Sequence, residues 1–239
     1  MTGQLLVRGG MLVDGTGAPA RAADVRVRDG VIVEVGAGLA PDGETEIDAG
    51  GAYVAPGFID CHTHYDPSVW WDPLVDPMPQ HGVTTVVTGN CSLSLTPVHA
   101  SDRVAASDVF GFIEDIPVDA FATGIPWSWE SYAEWRDVLR AHGTAVNIAA
   151  LVGHSNLRVY VMGDEAWDRA ATDDERAQLA AVLADSLAAG ALGMSTSFID
   201  QDRHGNAVPS RAADDAELVA LVDVLGSAPG RARVLEFLP

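Results

Sequence analysis

Short continuous apolar runs separated by capped helical segments leave a chain few folds to choose from, and that grammar governs this sequence after Pro56. Ser131 to Ala141 carries apolar residues at helical spacing behind a serine cap, and Val146 to Val152 is an apolar run of strand length. Thr172 to Ala189 opens on Thr-Asp-Asp-Glu, acids that suit the positive end of a helix dipole, and Gly190 ends it. Leu192 to Ile199 reads as the next strand, Asp214 to Leu225 as another acid-opened helix, and Arg233 to Leu238 as another strand. Strand alternating with helix implies a parallel sheet, and strands apolar throughout imply one covered on both faces. With Phe58 to His64 and Val83 to Thr88 in front, the pattern predicts about five strand–helix units. An eight-unit barrel takes about 250 residues by itself. The expected fold is therefore α/β, a TIM-like (β/α) barrel left incomplete over residues 56–239, and the sequence reads as the front part of a larger protein.

Residues 1–55 speak a different language. Leu5-Leu6-Val7, Met11-Leu12-Val13, Val25-Arg26-Val27 and Val31-Ile32-Val33 are separated by turn chemistry that includes Asp14-Gly15 and Asp29-Gly30. That is the pattern of hairpins. So small a strand-rich segment is expected to need further strands to complete it. Between the second and third barrel strands, residues 92–126 predict an ordered excursion rather than a linker. Trp70, Trp71, Trp127 and Trp129 are expected to pack that region.

The residues with metal chemistry fall at the ends of the first two barrel strands. Along a strand from Phe58 to His64 the side chains alternate, so His62 and His64 share a face while Cys61 and Thr63 point away. Two neutral imidazoles held by one strand suit zinc and its first-row neighbours. The same pair could end an ordinary strand, and spacing alone leaves both readings open. Cys91 falls just past the second strand, at the same C-terminal mouth where barrel active sites lie. A thiolate there would bind one metal or bridge two.

Charge and composition narrow the partners. A formal net charge of −20 argues against a nucleic-acid partner, because such binding needs a basic surface. All positive charge is arginine; there is no lysine, either from coding bias or from adaptation to salt, so a carboxylated lysine cannot bridge two metals here. No run is apolar enough to span a membrane and the N-terminus lacks a signal-peptide layout, which predicts a cytoplasmic protein. Cys61 and Cys91 could pair by count alone, but Cys61 lies on the face opposite His62, so a reduced thiol at Cys91 is expected.

Several stretches carry a resemblance. They are Pro-Gly-Phe-Ile-Asp-Cys-His-Thr-His-Tyr-Asp at 56–66, Trp-Asp-Pro at 71–73 and His-Gly-Val-Thr-Thr-Val-Val-Thr-Gly-Asn-Cys at 81–91. Further on come Ile-Pro-Trp-Ser-Trp-Glu at 125–130, Gly-His-Ser-Asn-Leu-Arg at 153–158 and Gly-Ala-Leu-Gly-Met-Ser-Thr at 190–196. Together they make the chain resemble the amidohydrolase superfamily, and within it the D-aminoacylase, or N-acyl-D-amino-acid deacylase, group. The resemblance implies that His62, His64 and Cys91 are metal ligands for one or two zinc ions, the cysteine replacing the carboxylated lysine of other branches. It implies that residues 1–55 belong to a β-sandwich completed from the far C-terminus. It also implies that the two other histidine ligands and the catalytic aspartate come from later strands, so no catalytic residue is expected within these 239 residues.

The implied activity is hydrolysis of linear amide bonds in small N-acyl amino acids, by metal-activated water attacking the acyl carbonyl. A cyclic amidohydrolase of the dihydroorotase or hydantoinase kind is the alternative, as is an inert fragment or non-catalytic partner subunit. The chain departs from the family at Ser92, where glycine is common, and at Asp200, where a substrate-holding tyrosine is common. It departs again around Glu236, where the fifth strand commonly carries a histidine. His154, Arg158 and Asp200 are candidates for substrate contact or for support of the site. For His154 the other reading is a hydrogen-bonded histidine that fixes its loop with Arg158.

Overall fold

The computed structural model describes residues 3–230 and 233–239. The chain divides into two compact units, Met1–Gly57 and Phe58–Pro239.

The first unit is a five-stranded sheet of β1 (Leu5–Leu12), β2 (Arg21–Arg28), β3 (Val31–Gly36), β4 (Thr45–Asp48) and β5 (Tyr53–Val54). β2 and β3 form an antiparallel hairpin around Asp29-Gly30, both at positive φ (51° and 77°), as an Asp-Gly turn between twisted strands requires. Leu5-Leu6-Val7 and Met11-Leu12 belong to one strand rather than two. Its register against β2 shifts between Val7 and Gly10, and Gly9 at φ 74° takes the bulge that re-aims the strand. β1 also pairs in parallel with β4 and β5. Leu6, Leu12, Ala23 and Val25 are buried, whereas Val31, Ile32, Val33 and Val35 along β3 are exposed.

The second unit holds β6 (Phe58–Asp60), β7 (Val83–Thr88), β8 (Asn147–Gly153), β9 (Gly193–Ser197) and β10 (Val234–Leu238). All pair in parallel, and each strand lies beside its predecessor in the chain. That is the expected front of a (β/α) barrel. Helices α1 (Arg103–Ile113), α2 (Val118–Gly124) and α3 (Tyr132–His142) lie between β7 and β8. Helices α4 (His154–Met162) and α5 (Asp173–Ala188) lie between β8 and β9, and α6 (Asp215–Ser227) precedes β10. Val86, Val152 and Met194 from the strands pack with Leu157, Leu179, Leu183 and Leu221 from the helices in one buried cluster. α3 and α5 open on reciprocal capping boxes, Ser131 with Glu134 and Thr172 with Glu175.

The 92–126 segment is ordered, as expected, and the extent of the first barrel strand needs correction. The 92–126 excursion contains α1 and α2, and a helix, α4, starts directly after β8; neither α1 nor α4 has a side-chain N-cap that would announce it. The first barrel strand stops at Asp60 rather than running to His64, because beyond it Thr63 turns in and donates both its N–H and its hydroxyl to the Val87 carbonyl. The tryptophans do pack the excursion. Trp70 stacks on Trp129 with ring centroids 4.8 Å apart, and Trp129 donates its indole N–H to the Leu95 carbonyl.

Candidate metal centre

Cys61 to His64 follow β6 as a loop, yet the directions expected of a strand survive in it. Cys61 is exposed, Thr63 is buried against β7, and His62 and His64 turn toward Cys91. One ligand atom from each of His62, His64 and Cys91 lies within 4.8 Å of the others. His62 Nε2 is 3.1 Å from Cys91 Sγ, and the two imidazole rings meet edge to face at 5.4 Å. Both cysteines are free, as expected.

Cys91 reaches the cluster through an unusual backbone. Cys91 and Ser92 adopt φ of 54° and 67°, a left-handed conformation that costs a residue with a Cβ roughly 1–2 kcal/mol. Side chains from strands further along the sheet offset this. The Cys91 N–H donates to Glu236 Oε2 on β10 at 2.9 Å, and the Ser92 N–H donates to Ser195 Oγ on β9 at 3.0 Å. The Ser92 hydroxyl donates to Ser155 Oγ, and the Ser155 N–H donates back to it at 2.7 Å. Ser92 therefore sits on a glycine-type backbone, held there by its own hydroxyl.

Two buried polar residues tie the histidine loop to the cysteine loop. Asn90 Nδ2 donates to the Thr63 carbonyl at 3.1 Å and to the Val87 carbonyl at 2.9 Å. Asp66 Oδ2 accepts the Gly89 N–H at 3.2 Å, and burial pushes the Asp66 carboxyl up to about 7. Gly89 itself has no room for a side chain, since a Cβ there would lie 2.2 Å from the Leu151 carbonyl oxygen at a φ of 77°. Gly89→Ala is expected to lower the stability of the full-length protein by about 2–3 kcal/mol, from overpacking and backbone strain together. Urea denaturation reads this directly, and an unchanged midpoint would mean that β7 and β8 can part at no cost.

The electrostatics suit a cation. Burial, then the neighbouring His62, pushes His64 down to about 4, so its imidazole is neutral at pH 7. Its Nδ1 is buried without a hydrogen-bond partner among the described residues, while Glu114 Oε1 lies 3.5 Å from its Nε2. Burial, followed by the charges of Glu236, Asp200 and Glu114, pushes the Cys91 thiol up to about 12. These three carboxylates come from the end of α1, the loop after β9 and β10, and the described residues place no arginine in an ion pair with any of them. Two imidazoles, a thiol and surrounding negative charge are the donor set of a first-row dication.

The remaining candidates fall elsewhere. His154 and Arg158 are fully buried, which takes them out of reach of a substrate. They join Glu217 of α6, with His154 Nε2 2.8 Å from Glu217 Oε1 and the Arg158 guanidinium donating to Glu217 Oε2. This matches the other reading of His154, as a residue that fixes its loop with Arg158. Asp200 lies in the loop that follows β9, and its Oδ2 is buried without a partner among the described residues. Sequence reasoning passed over Glu114, Asp66 and Glu217. Only Asp66, two residues beyond His64 in a segment already singled out, carried a signal that could have found it.

The amidohydrolase family model matches residues 45–230. A D-aminoacylase of Alcaligenes xylosoxydans xylosoxydans is 41% identical over 192 residues, covering 80% of this chain and 37% of the relative. An N-acyl-D-glutamate deacylase of the same organism is 36% identical over 220 residues, covering 92% of this chain and 41% of the relative. The crystal structure of N-acyl-D-glutamate deacylase from Bordetella bronchiseptica, complexed with zinc and a phosphonate inhibitor, superimposes with a TM-score of 0.80 at 33% identity. That match covers 99% of this chain and 45% of the other. The chain spans about two-fifths of the length of the curated relatives it matches. With its family model, its sequence relatives and its fold in agreement, the chain belongs to the amidohydrolase family, and D-aminoacylases and N-acyl-D-amino-acid deacylases are among its relatives.

Proposed function

We propose that the full-length protein is a zinc-dependent hydrolase of linear amides that removes the acyl group from N-acyl-D-amino acids. The observation that carries this reading is the convergence of His62, His64 and Cys91 at the C-terminal ends of adjacent barrel strands, in a chain with deacylase relatives. Zinc bound there would lower the pKa of a water molecule and polarise the acyl carbonyl. The chain's own part is to hold the ligands. His64 stays neutral through burial, with the Glu114 carboxylate beside its Nε2. Glu236 and Ser195 fix the backbone that presents the Cys91 sulfur, and Asn90 keeps the two ligand loops together. The reading places the enzyme in the cytoplasm, where the Cys91 thiol stays reduced. Its partner is a small N-acyl amino acid.

Zinc-loaded full-length protein, assayed against N-acetyl-D-amino acids, their L-enantiomers, hydantoins and dihydroorotate, is expected to release acetate from the D-compounds and to leave the cyclic amides intact. Turnover of a cyclic amide with none of the N-acetyl-D-amino acids would sink the reading.

A further inference from the structure

Helix α1 aims two residues of one face at the metal centre. Phe110 and Glu114 are four apart, one turn along the helix, and so project to the same side. The Phe110 ring meets His64 edge to face with centroids 6.1 Å apart, and Glu114 Oε1 lies 3.5 Å from His64 Nε2. The backbone fixes this reach. The Glu114 N–H donates to the Phe110 carbonyl at 3.0 Å, Asp115 takes a φ of 53°, and the Ile116 N–H donates back to the Gly111 carbonyl at 2.9 Å. That is the closure of a Schellman turn, with Glu114 as the C-cap of the helix.

An acid is poorly placed there. The C-terminal end of a helix is the negative end of its dipole, and the last turn of α1 carries no basic residue. The Glu114 side chain is only 23% exposed, and among the described residues its carboxylate accepts no hydrogen bond and pairs with no arginine. Glu236, by contrast, is engaged by the Cys91 N–H. A carboxylate drawn out of water without a donor costs free energy until a cation meets it. His64 cannot be that cation while it serves as a metal ligand, because ligation takes the imidazole in its neutral form. The cation within reach is the ion that His62, His64 and Cys91 are placed to hold. Glu114 is not one of the three whose ligand atoms lie within 4.8 Å of one another, so it meets that ion as a charge beside the ligands and not as a ligand itself.

We propose that Glu114 is a metal-retaining residue: its carboxylate lies against the His64 side of the centre as the counter-charge of the bound ion and sets how tightly that ion is kept. This rests on the metal centre of the deacylase reading above and adds to it a residue that touches neither metal nor substrate. Charges a few ångströms apart in a partly dry site act strongly on one another, and losing such a carboxylate outside the ligand set lowers metal affinity about ten- to hundredfold.

The test compares full-length wild type with Glu114→Gln and Glu114→Asp. Zinc affinity by chelator competition is expected to fall about ten- to hundredfold in Glu114→Gln, which keeps the shape and loses the charge. Glu114→Asp, which keeps the charge, is expected to bind zinc more tightly than Glu114→Gln. Urea denaturation of the zinc-free proteins separates this role from a structural one. Glu114→Gln removes a negative charge from the wrong end of a helix, so its midpoint is expected at or above that of the wild type. If zinc binds and is weakened as expected, but no N-acetyl-D-amino acid is cleaved by the wild type, the deacylase reading falls and the role of Glu114 holds. If the wild type cleaves these compounds while Glu114→Gln keeps its zinc affinity, the deacylase reading holds and the role of Glu114 falls. A lowered midpoint in zinc-free Glu114→Gln would also overturn it, since the carboxylate would then be supporting the fold.

Discussion

Glu217→Ala is expected to destabilise the full-length protein by about 3–5 kcal/mol, the cost of breaking a buried ion pair by removing one partner. Glu217, His154 and Arg158 are all at 0% exposure. Burial works to raise the Glu217 carboxyl, but hydrogen bonds from His154 and Arg158 outweigh it and hold the group ionised below the usual range. His154 is shifted down by burial, so it stands neutral, with Nε2 on Glu217 and Nδ1 2.9 Å from Thr196 Oγ1. The one carboxylate thus joins α6 to the start of α4, to Arg158 one turn along it, and through His154 to β9. Without it, the Arg158 guanidinium keeps only the carbonyls of Ala166 and Arg169 and remains charged in the core. Glu217→Gln preserves the shape and one acceptor, and should cost less. Both variants should lower the urea midpoint without changing the slope of unfolding. A loss below about 1 kcal/mol for Glu217→Ala would mean that the cluster relaxes or admits water, and that it does not hold the helices.

The same residue shows where sequence reasoning stops. Ser131 with Glu134, Thr172 with Glu175 and Asp214 with Glu217 share one spacing, an N-cap followed by glutamate three residues later. In the first two pairs the glutamate reaches back to the cap, and the bounds of α3 and α5 could be read from the chain to within a residue or so. In the third, the Glu217 N–H still donates to Asp214 Oδ1, which starts α6 where expected, but the side chain turns into the core. Local chemistry decides where the helix begins. The direction of the carboxylate is decided by His154 and Arg158, 63 and 59 residues away, and no spacing records that.

Much the same division runs through the candidate site. The three candidate ligands, His62, His64 and Cys91, were legible because each closely follows a strand, and strands were visible as apolar runs. The carboxylates around them were not. Glu114 lies at the end of α1, which has no side-chain cap to mark its start, and Asp66 looks like one of many acids in a Pro- and Trp-rich loop. Even the ligand directions held for a reason other than the one the sequence offered. His62 and His64 share a side not because the strand continues through them, since it ends at Asp60, but because Thr63 is pinned to the Val87 carbonyl between them.

Cys91→Ala and Cys91→Ser in the full-length protein are each expected to lose tight metal binding, with affinity falling by roughly a hundredfold or more. The two substitutions together separate a ligand from a packing residue. Cys91 is only 7% exposed, so its sulfur fills core space, and serine nearly conserves that volume. If packing were its role, serine would behave better than alanine and neither would change metal content. If the sulfur is a ligand, both lose the one anionic, strongly binding donor of the cluster and leave His62 and His64 alone, a pair too weak to retain a dication against a chelator. The backbone should stay in place in both variants, because the bonds that fix it run from the Cys91 and Ser92 N–H groups to Glu236 and Ser195 and do not involve the sulfur. Zinc per chain by elemental analysis, with affinity by chelator competition, makes the measurement. Wild-type zinc content and affinity in both variants would remove Cys91 from the site and leave the metal reading without its third ligand.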